Sequence, residues 1–244
     1  MVNIFERELK VEASLTDVNI QFGLLPALTV AQDNMCEYFR QIGCDGITML
    51  PVKNCFFVLT KSKIKFDNFA TWLDVFKART ELTSKSKIRV SLQTDFDAED
   101  KHLATCMHEM CAMDATERTV RAVSDTLMSE ELEPTKDAAF AFEKMSFELT
   151  PEDMVGMHRI NVGNLDFYKH TNNLQYVQIM FSTLGLPFVE NTIIDEFEIH
   201  YIAETRNGDV LGIFKKVEED RVLFQINNVD NKCITKAVIK YRKK

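Results

Sequence analysis

The sequence predicts an α+β protein built from two tandem repeats, each a long helix wrapped by a bent antiparallel sheet. Three observations carry that expectation. Most of the chain alternates apolar and polar residues with the period of a strand. Only two long segments switch to helical spacing. Both helical segments have the same surroundings: a strand and an aspartate before (Asp17, then Asp166), a glycine step after, then a loop and several long strands.

Taken in order, Leu24, Leu28, Ala31, Met35, Tyr38 and Ile42 step by four and three until Gly43 stops the first helix. Phe56, Val58, Ile64 and Phe66 then share one parity and Lys61, Lys63 and Lys65 the other, which reads as a half-buried strand with a basic outer edge. Ile88, Val90, Leu92 and Phe96 alternate with Arg89, Ser91 and Gln93, and another strand runs from about Leu103 to Met113. Ala115 to Thr150 is rich in Glu, Asp and Thr and weak in periodicity, and reads as a connection with one or two short helices. In the second helix Leu174, Val177, Phe181 and Leu184 step by three and four, Asn172 is placed as N-cap, Asn173 opens the first turn, and Gly185 and Pro187 end the run. Phe197, Ile199 and Tyr201 alternate with Glu196, Glu198 and His200. Asn207-Gly208 predicts a type I′ hairpin turn, and 210–218, 221–227 and 234–241 complete an antiparallel meander. The expected domains are residues 1–130 and 131–244.

Composition narrows the function. With 29 Lys plus Arg against 37 Asp plus Glu, the net charge of −8 disfavours nucleic acid as a partner, because phosphate contacts need a basic footprint. The longest uncharged apolar stretch, around Phe22 to Ala31, is too short and interrupted for membrane insertion, and Met1 to Lys10 has no signal-peptide core. Cys36, Cys44, Cys55, Cys106, Cys111 and Cys233 form no Cys-x-x-Cys pair and have no His at finger spacing, so they read as reduced thiols of a cytoplasmic protein, with no metal expected.

The stretch Leu165-Asp166-Phe167-Tyr168-Lys169-His170-Thr171-Asn172-Asn173 crowds an Asp, a His and two Asn at the start of the second helix. A helix N-terminus presents unpaired N–H groups and the positive end of the macrodipole, which can polarise a carbonyl and hold a developing oxyanion. The first repeat has Asp17-Val18-Asn19-Ile20-Gln21-Phe22 in the same place and no His, so only the second repeat looks equipped.

Here the sequence resembles the acyl-(acyl carrier protein) thioesterases, whose pattern is Asp-x-Asn-x-His-x-Asn-Asn-x-x-Tyr followed about thirty residues on by Tyr-x-x-Glu. Asp166, His170, Asn172, Asn173 and Tyr176 match the first part, and Tyr201 and Glu204 the second, with Asp209 and Leu211 after them. The resemblance implies two hot-dog repeats with one active site, on the second. It also implies hydrolysis of fatty acyl thioesters of an acyl carrier protein to free fatty acid and carrier thiol. Asp166, His170 and Glu204 would form the catalytic set, with Glu204 activating water or attacking directly. Asn172 and Asn173 would help bind substrate, the acyl chain would lie in an apolar tunnel between helix and sheet, and no cofactor would be needed. The alternatives are an acyl-coenzyme A thioesterase on the same fold and a non-catalytic acyl-thioester-binding module. The chain would be a monomer or a homodimer.

Two departures follow from the residues themselves. Tyr168 stands where the family has Asn, and a phenol cannot mimic an amide's donor–acceptor pair. Glu204 shares parity with Glu196, Glu198 and His200, the polar face of its strand, so a bulge near Ala203 is needed to re-aim it. The two basic stripes, Lys61, Lys63 and Lys65 and then Lys236, Lys240 and 242–244, read either as surfaces that steer an acidic carrier or as gatekept strand edges and a soluble tail.

Overall fold

The structure, a computed structural model, describes residues 3–244. The chain divides into two compact units, Met1–Ala141 and Phe142–Lys244. The first contains β1 (Ile4–Lys10), α1 (Leu24–Gln41), α2 (Gly46–Lys53), β2 (Cys55–Phe66), β3 (Val75–Lys85), β4 (Arg89–Asp97), β5 (His102–Asp114) and the two-residue β6 (Val120–Arg121). The second contains β7 (Met154–Arg159), α3 (Asn173–Phe181), α4 (Leu186–Asn191), β8 (Thr192–Tyr201), β9 (Val210–Val217), β10 (Arg221–Asn228) and β11 (Cys233–Lys243).

The first unit orders its strands β1-β3-β4-β5-β2, with β6 beside β5, and the second orders them β7-β9-β10-β11-β8. Every pairing within a unit is antiparallel, so the two units repeat one strand order. In the first unit α1 packs on β3 and β4, burying Ala27, Leu28, Ala31, Asn34, Met35 and Tyr38. Burial of that face, more than helix propensity, holds an element of this length in place.

Three local patterns differ from expectation, each for a physical reason. The β2–β5 register shifts between Leu59 and Lys61, so parity reverses across Thr60. Phe57, not Phe56, therefore faces the helix, where it stacks on Phe39 at 4.8 Å. The second helix ends at Phe181 rather than Leu184, because Ser182 and Thr183 turn their hydroxyls back onto the carbonyls of Ile179 and Met180. At Asn207-Gly208 only Gly208 has positive φ (+95°), so the turn is not type I′, and it joins β8 to β9, which are not neighbours.

Residues 115–150 contain β6 and a 3-10 turn at Val123–Asp125 but no α-helix. The expected short helices are replaced by an extended strap pinned to polar strand side chains. In the first unit Thr135 Oγ1 donates to Glu81 Oε2 (2.7 Å), the Ala139 amide to Gln93 Oε1 (3.0 Å), and Lys63 Nζ to the Ala141 carbonyl (3.3 Å). In the second unit the Glu143 amide donates to Glu198 Oε1 (2.8 Å) and the Leu149 amide to Gln225 Oε1 (3.3 Å). An extended chain needs partners for its backbone groups, and a polar strand face supplies them.

The strap and neighbouring strand carboxylates engage most of both basic stripes. Lys63 is buried, Lys65 lies over the Phe140 ring, and Lys61 pairs with Glu109 at 3.0 Å. Lys236 is buried against Glu148 and the Phe147 carbonyl, Lys240 pairs with Glu143 and Glu196, and Arg242 pairs with Asp195. Most of both stripes is thus matched inside the fold, while Lys243 stays exposed. Among the described residues no helix is long and apolar enough to cross a membrane, and all six cysteines are free.

Candidate active site

The site is built where β7 gives way to α3. Asp166 opens a tight loop in which its Oδ1 accepts the amides of Tyr168 (2.8 Å) and His170 (3.2 Å), while its own amide donates to the His170 carbonyl (2.8 Å). Short polar side chains favour such turns because they bond to their own backbone. Lys169, at the loop tip, takes φ +62°. Asp166 thus shapes the loop that presents His170, acting through the main chain.

The other wall comes from the end of β8. The amides of Ile202 and Ala203 both donate to the Ile234 carbonyl, at 2.9 and 3.1 Å. Two successive donors on one acceptor mark a bulge, and the alternation of β8 stops there. The re-aiming that strand parity demanded of Glu204 is thereby supplied. His170 Nε2 and Glu204 Oε2 lie 3.6 Å apart, just beyond direct hydrogen-bond contact. Their side chains are 15% and 39% exposed, so the pair opens to solvent through the carboxylate.

Thr205 anchors this arrangement from below. Its Oγ1 lies 2.7 Å from both Thr171 Oγ1 and Tyr176 Oη, all three residues are buried, and the Thr171 amide donates to the Thr205 carbonyl. Burial pushes the Tyr176 phenol above its ordinary value, partly offset by the Thr205 hydrogen bond. Thr171 and Thr205 therefore share the inward face of a short ladder, which turns His170, Glu204 and Arg206 to the outward face. Sequence patterning marks Thr205 only as the residue after Glu204, where some family members carry Cys, and gives no signal that either threonine is a buried anchor.

At the start of α3, Asn172 accepts the Leu174 amide on its side chain and the Gln175 amide on its carbonyl, both at 2.9 Å. The Asn173 amide has no acceptor among the described residues, while its carbonyl accepts from Tyr201 Oη at 3.4 Å. Asn172 is thus the N-cap, and Asn173 offers an unspent N–H beside the His170 loop. Tyr168 keeps its amide on Asp166, and its ring packs against Phe167 at 4.3 Å.

The first unit repeats this framework without the charges. Asp17 Oδ1 accepts the amides of Asn19 and Gln21, Ile20 takes φ +62°, and the amides of Asp67 and Asn68 share the Leu103 carbonyl. Gln21 bridges Thr71 as His170 bridges Arg206. The stations of His170, Glu204, Lys169 and Arg206 are therefore held by Gln21, Phe69, Ile20 and Thr71.

Away from this loop, single carboxylate oxygens of Glu143, Glu196 and Glu198 lie within 4.8 Å of one another. Lys240 Nζ already sits 2.6 Å from Glu143 and 3.0 Å from Glu196, and His200 lies 2.8 Å from Glu198, so the acids are matched by side-chain donors.

The duplicated helix-and-sheet plan defines the double hot-dog class of α+β protein, and comparison with known proteins places it among thioester hydrolases. Residues 2–130 match the acyl-ACP thioesterase N-terminal domain and residues 149–243 the acyl-ACP thioesterase C-terminal domain. The chain belongs to the acyl-ACP thioesterase family. Its fold matches an acyl-ACP thioesterase from Bacteroides thetaiotaomicron (TM-score 0.84, 16% identity, 98% of each chain covered). It also matches the 12:0-ACP thioesterase from Umbellularia californica (TM-score 0.85, 14% identity, covering 100% of this chain and 99% of that one). No curated protein sequence matches.

Proposed function

We propose that this chain hydrolyses fatty acyl thioesters of acyl carrier protein, with His170 and Glu204 at the reacting bond. Family membership supports the reaction class. The observation that carries the site is the 3.6 Å approach of His170 Nε2 to Glu204 Oε2, absent from the matching stations Gln21 and Phe69.

In this reading Glu204 takes a proton from water as its oxygen attacks the thioester carbonyl. The carbonyl oxygen becomes an oxyanion that the unspent Asn173 amide can hold, and His170 orients the water or the carbonyl. Losing one such oxyanion donor typically costs about 3 kcal/mol of transition-state stabilisation. Collapse breaks the carbon–sulfur bond, the leaving sulfur takes the proton, and a fatty acid and a thiol depart. Asp166 positions His170 through the loop amides. The free cysteines fit a reducing cytoplasm, and the paired repeats fit a chain acting as a monomer or homodimer.

Thiol release from acyl carrier substrates of graded chain length tests the assignment. His170→Ala and Glu204→Ala should each lower kcat at least roughly a hundredfold, the scale of a lost acid–base group. Near-wild-type rates from both variants would remove these residues from the chemistry.

A further inference from the structure

We propose that Arg206 and Lys169 form a phosphate-binding rim outside the His170–Glu204 pair, recognising the phosphorylated pantetheine arm on which the thioester arrives. The inference rests on the thioesterase reading above and adds the group that distinguishes a carrier-borne substrate from a bare thioester.

Geometry puts Arg206 on the same side as the pair. The Thr171–Thr205 hydroxyl contact fixes the buried face of the ladder, and Arg206 is bridged to His170 on the other face. Directly opposed residues in such a ladder have Cβ atoms about 5 Å apart. The Arg206 amide is held at 2.8 Å by Asp209 Oδ2, which spends that carboxylate oxygen on backbone. Among the described residues the Arg206 guanidinium and the Lys169 ammonium have no ion-pair or hydrogen-bond partner, and both side chains are exposed.

Charge makes the case sharper. A molecule of net charge −8 repels a phosphate ester unless cations are concentrated where it docks. Most of the basic stripes is already matched, by the strap or by Glu109 and Asp195 on neighbouring strands. The two uncommitted cations here belong to the segments that carry the pair, Lys169 next to His170 in the loop and Arg206 two residues after Glu204. The first unit, which lacks that pair, carries Ile20 and Thr71 at their stations. The cations thus accompany the His–Glu pair and are absent where it is absent. A guanidinium suits a phosphate because its planar fork can donate two parallel hydrogen bonds. In a pantetheine thioester the phosphate lies at the far end of the arm from sulfur. Its partners must therefore reach outward from the catalytic groups, which long exposed Arg and Lys side chains are able to do.

Calorimetric binding of 4′-phosphopantetheine and of pantetheine to the whole protein provides a readout independent of turnover. Wild type should prefer the phosphorylated compound at least roughly tenfold, the scale of a charge-assisted hydrogen bond. Arg206→Gln with Lys169→Gln should abolish the preference, and Arg206→Lys should retain part of it. In kinetics, one acyl group is offered on acyl carrier protein, on coenzyme A and on N-acetylcysteamine. The double variant should lower kcat/KM on the first two at least tenfold relative to the third. Equal losses on all three would make the residues part of the chemistry and overturn the rim. Loss on the carrier alone would point to its protein surface and overturn the phosphate assignment. A phosphate preference that survives in the double variant, or is missing from wild type, would overturn it as well. A wild-type protein that prefers phosphopantetheine but cleaves no thioester would sink the hydrolase reading and leave the rim standing.

Discussion

Gln21 and His170 hang from their aspartates by the same bond: the Gln21 amide lies 3.1 Å from Asp17 Oδ1, and the His170 amide 3.2 Å from Asp166 Oδ1. One loop design therefore serves two chemical outcomes, and its structural and functional contributions can be measured separately.

Replacing Asp17 by Ala removes the acceptor for the Asn19 and Gln21 amides, and replacing Asp166 by Ala does the same for Tyr168 and His170. Each should lower unfolding stability by about 1–3 kcal/mol, read from urea midpoints. Only Asp166→Ala should also depress kcat, because only its loop presents an imidazole. A fall in kcat of similar size in Asp17→Ala would show that the two loops are not functionally distinct.

His108 should make the protein acid-sensitive. Its ring lies in the core of the first unit, with Ser62 Oγ 2.9 Å from Nδ1 and Cys106 Sγ 3.9 Å from Nε2. Burial pushes its pKa down to about 4, against a smaller opposing effect of a hydrogen bond with the Ala31 backbone. The folded state thus holds the ring neutral, while the unfolded chain protonates it near pH 6.5. The stability it supports is present above that pH, erodes as pH falls toward 4, and then levels off after a loss of roughly 3 kcal/mol. Glu81 and the half-buried Asp95, in which desolvation is outweighed by hydrogen bonds and by the Lys136 charge so that both carboxyls stay below the ordinary range, lose their contribution at lower pH. Urea midpoints between pH 7 and 4.5 should fall in wild type and flatten in His108→Gln. An equal slope in both would contradict this account.

Leu73 and Gly208 occupy matching turns, with φ of +76° and +95°. A Cβ at Gly208 would meet nothing within 4 Å, so only backbone conformation favours glycine there. Leu73 bears the left-handed cost, typically about 1–2 kcal/mol. Leu73→Gly should raise the melting temperature despite the greater entropy of the unfolded chain, and Gly208→Leu should lower it. Thermal scans showing no opposite shifts would remove strain as the explanation.

The helices and meander were legible because their signals are local and repeated: Leu24 to Tyr38 for α1, the Asn172 cap for α3, strict alternation for β4 and β8. What escaped notice depends on partners distant in sequence. The flip across Thr60 arises from pairing with β5, so no inspection of β2 alone reveals that Phe57 faces inward. Lys63 and Glu198 alternate like solvent-facing residues and are buried, because a strap from another part of the chain supplies their contacts. The eight-residue α2 had a readable cap in Asp45, whose side chain accepts the Thr48 amide, but it is too short to show periodicity. At the site, the residues of the Asp-x-x-x-His stretch were readable as a cluster. The role of Thr205 as a buried anchor and the outward face of Arg206 needed the fold.

The emptied copy of the loop sets a stoichiometry. Only one of the two like scaffolds carries a His–Glu pair, so with the proposed site each polypeptide should commit a single equivalent of substrate per cycle. An active-site titration is expected to count one per chain, whatever the number of chains in the assembly. A hot-dog enzyme assembled from identical single repeats has no such built-in asymmetry. Here the first half is relieved of that task, and its sequence can drift toward packing alone.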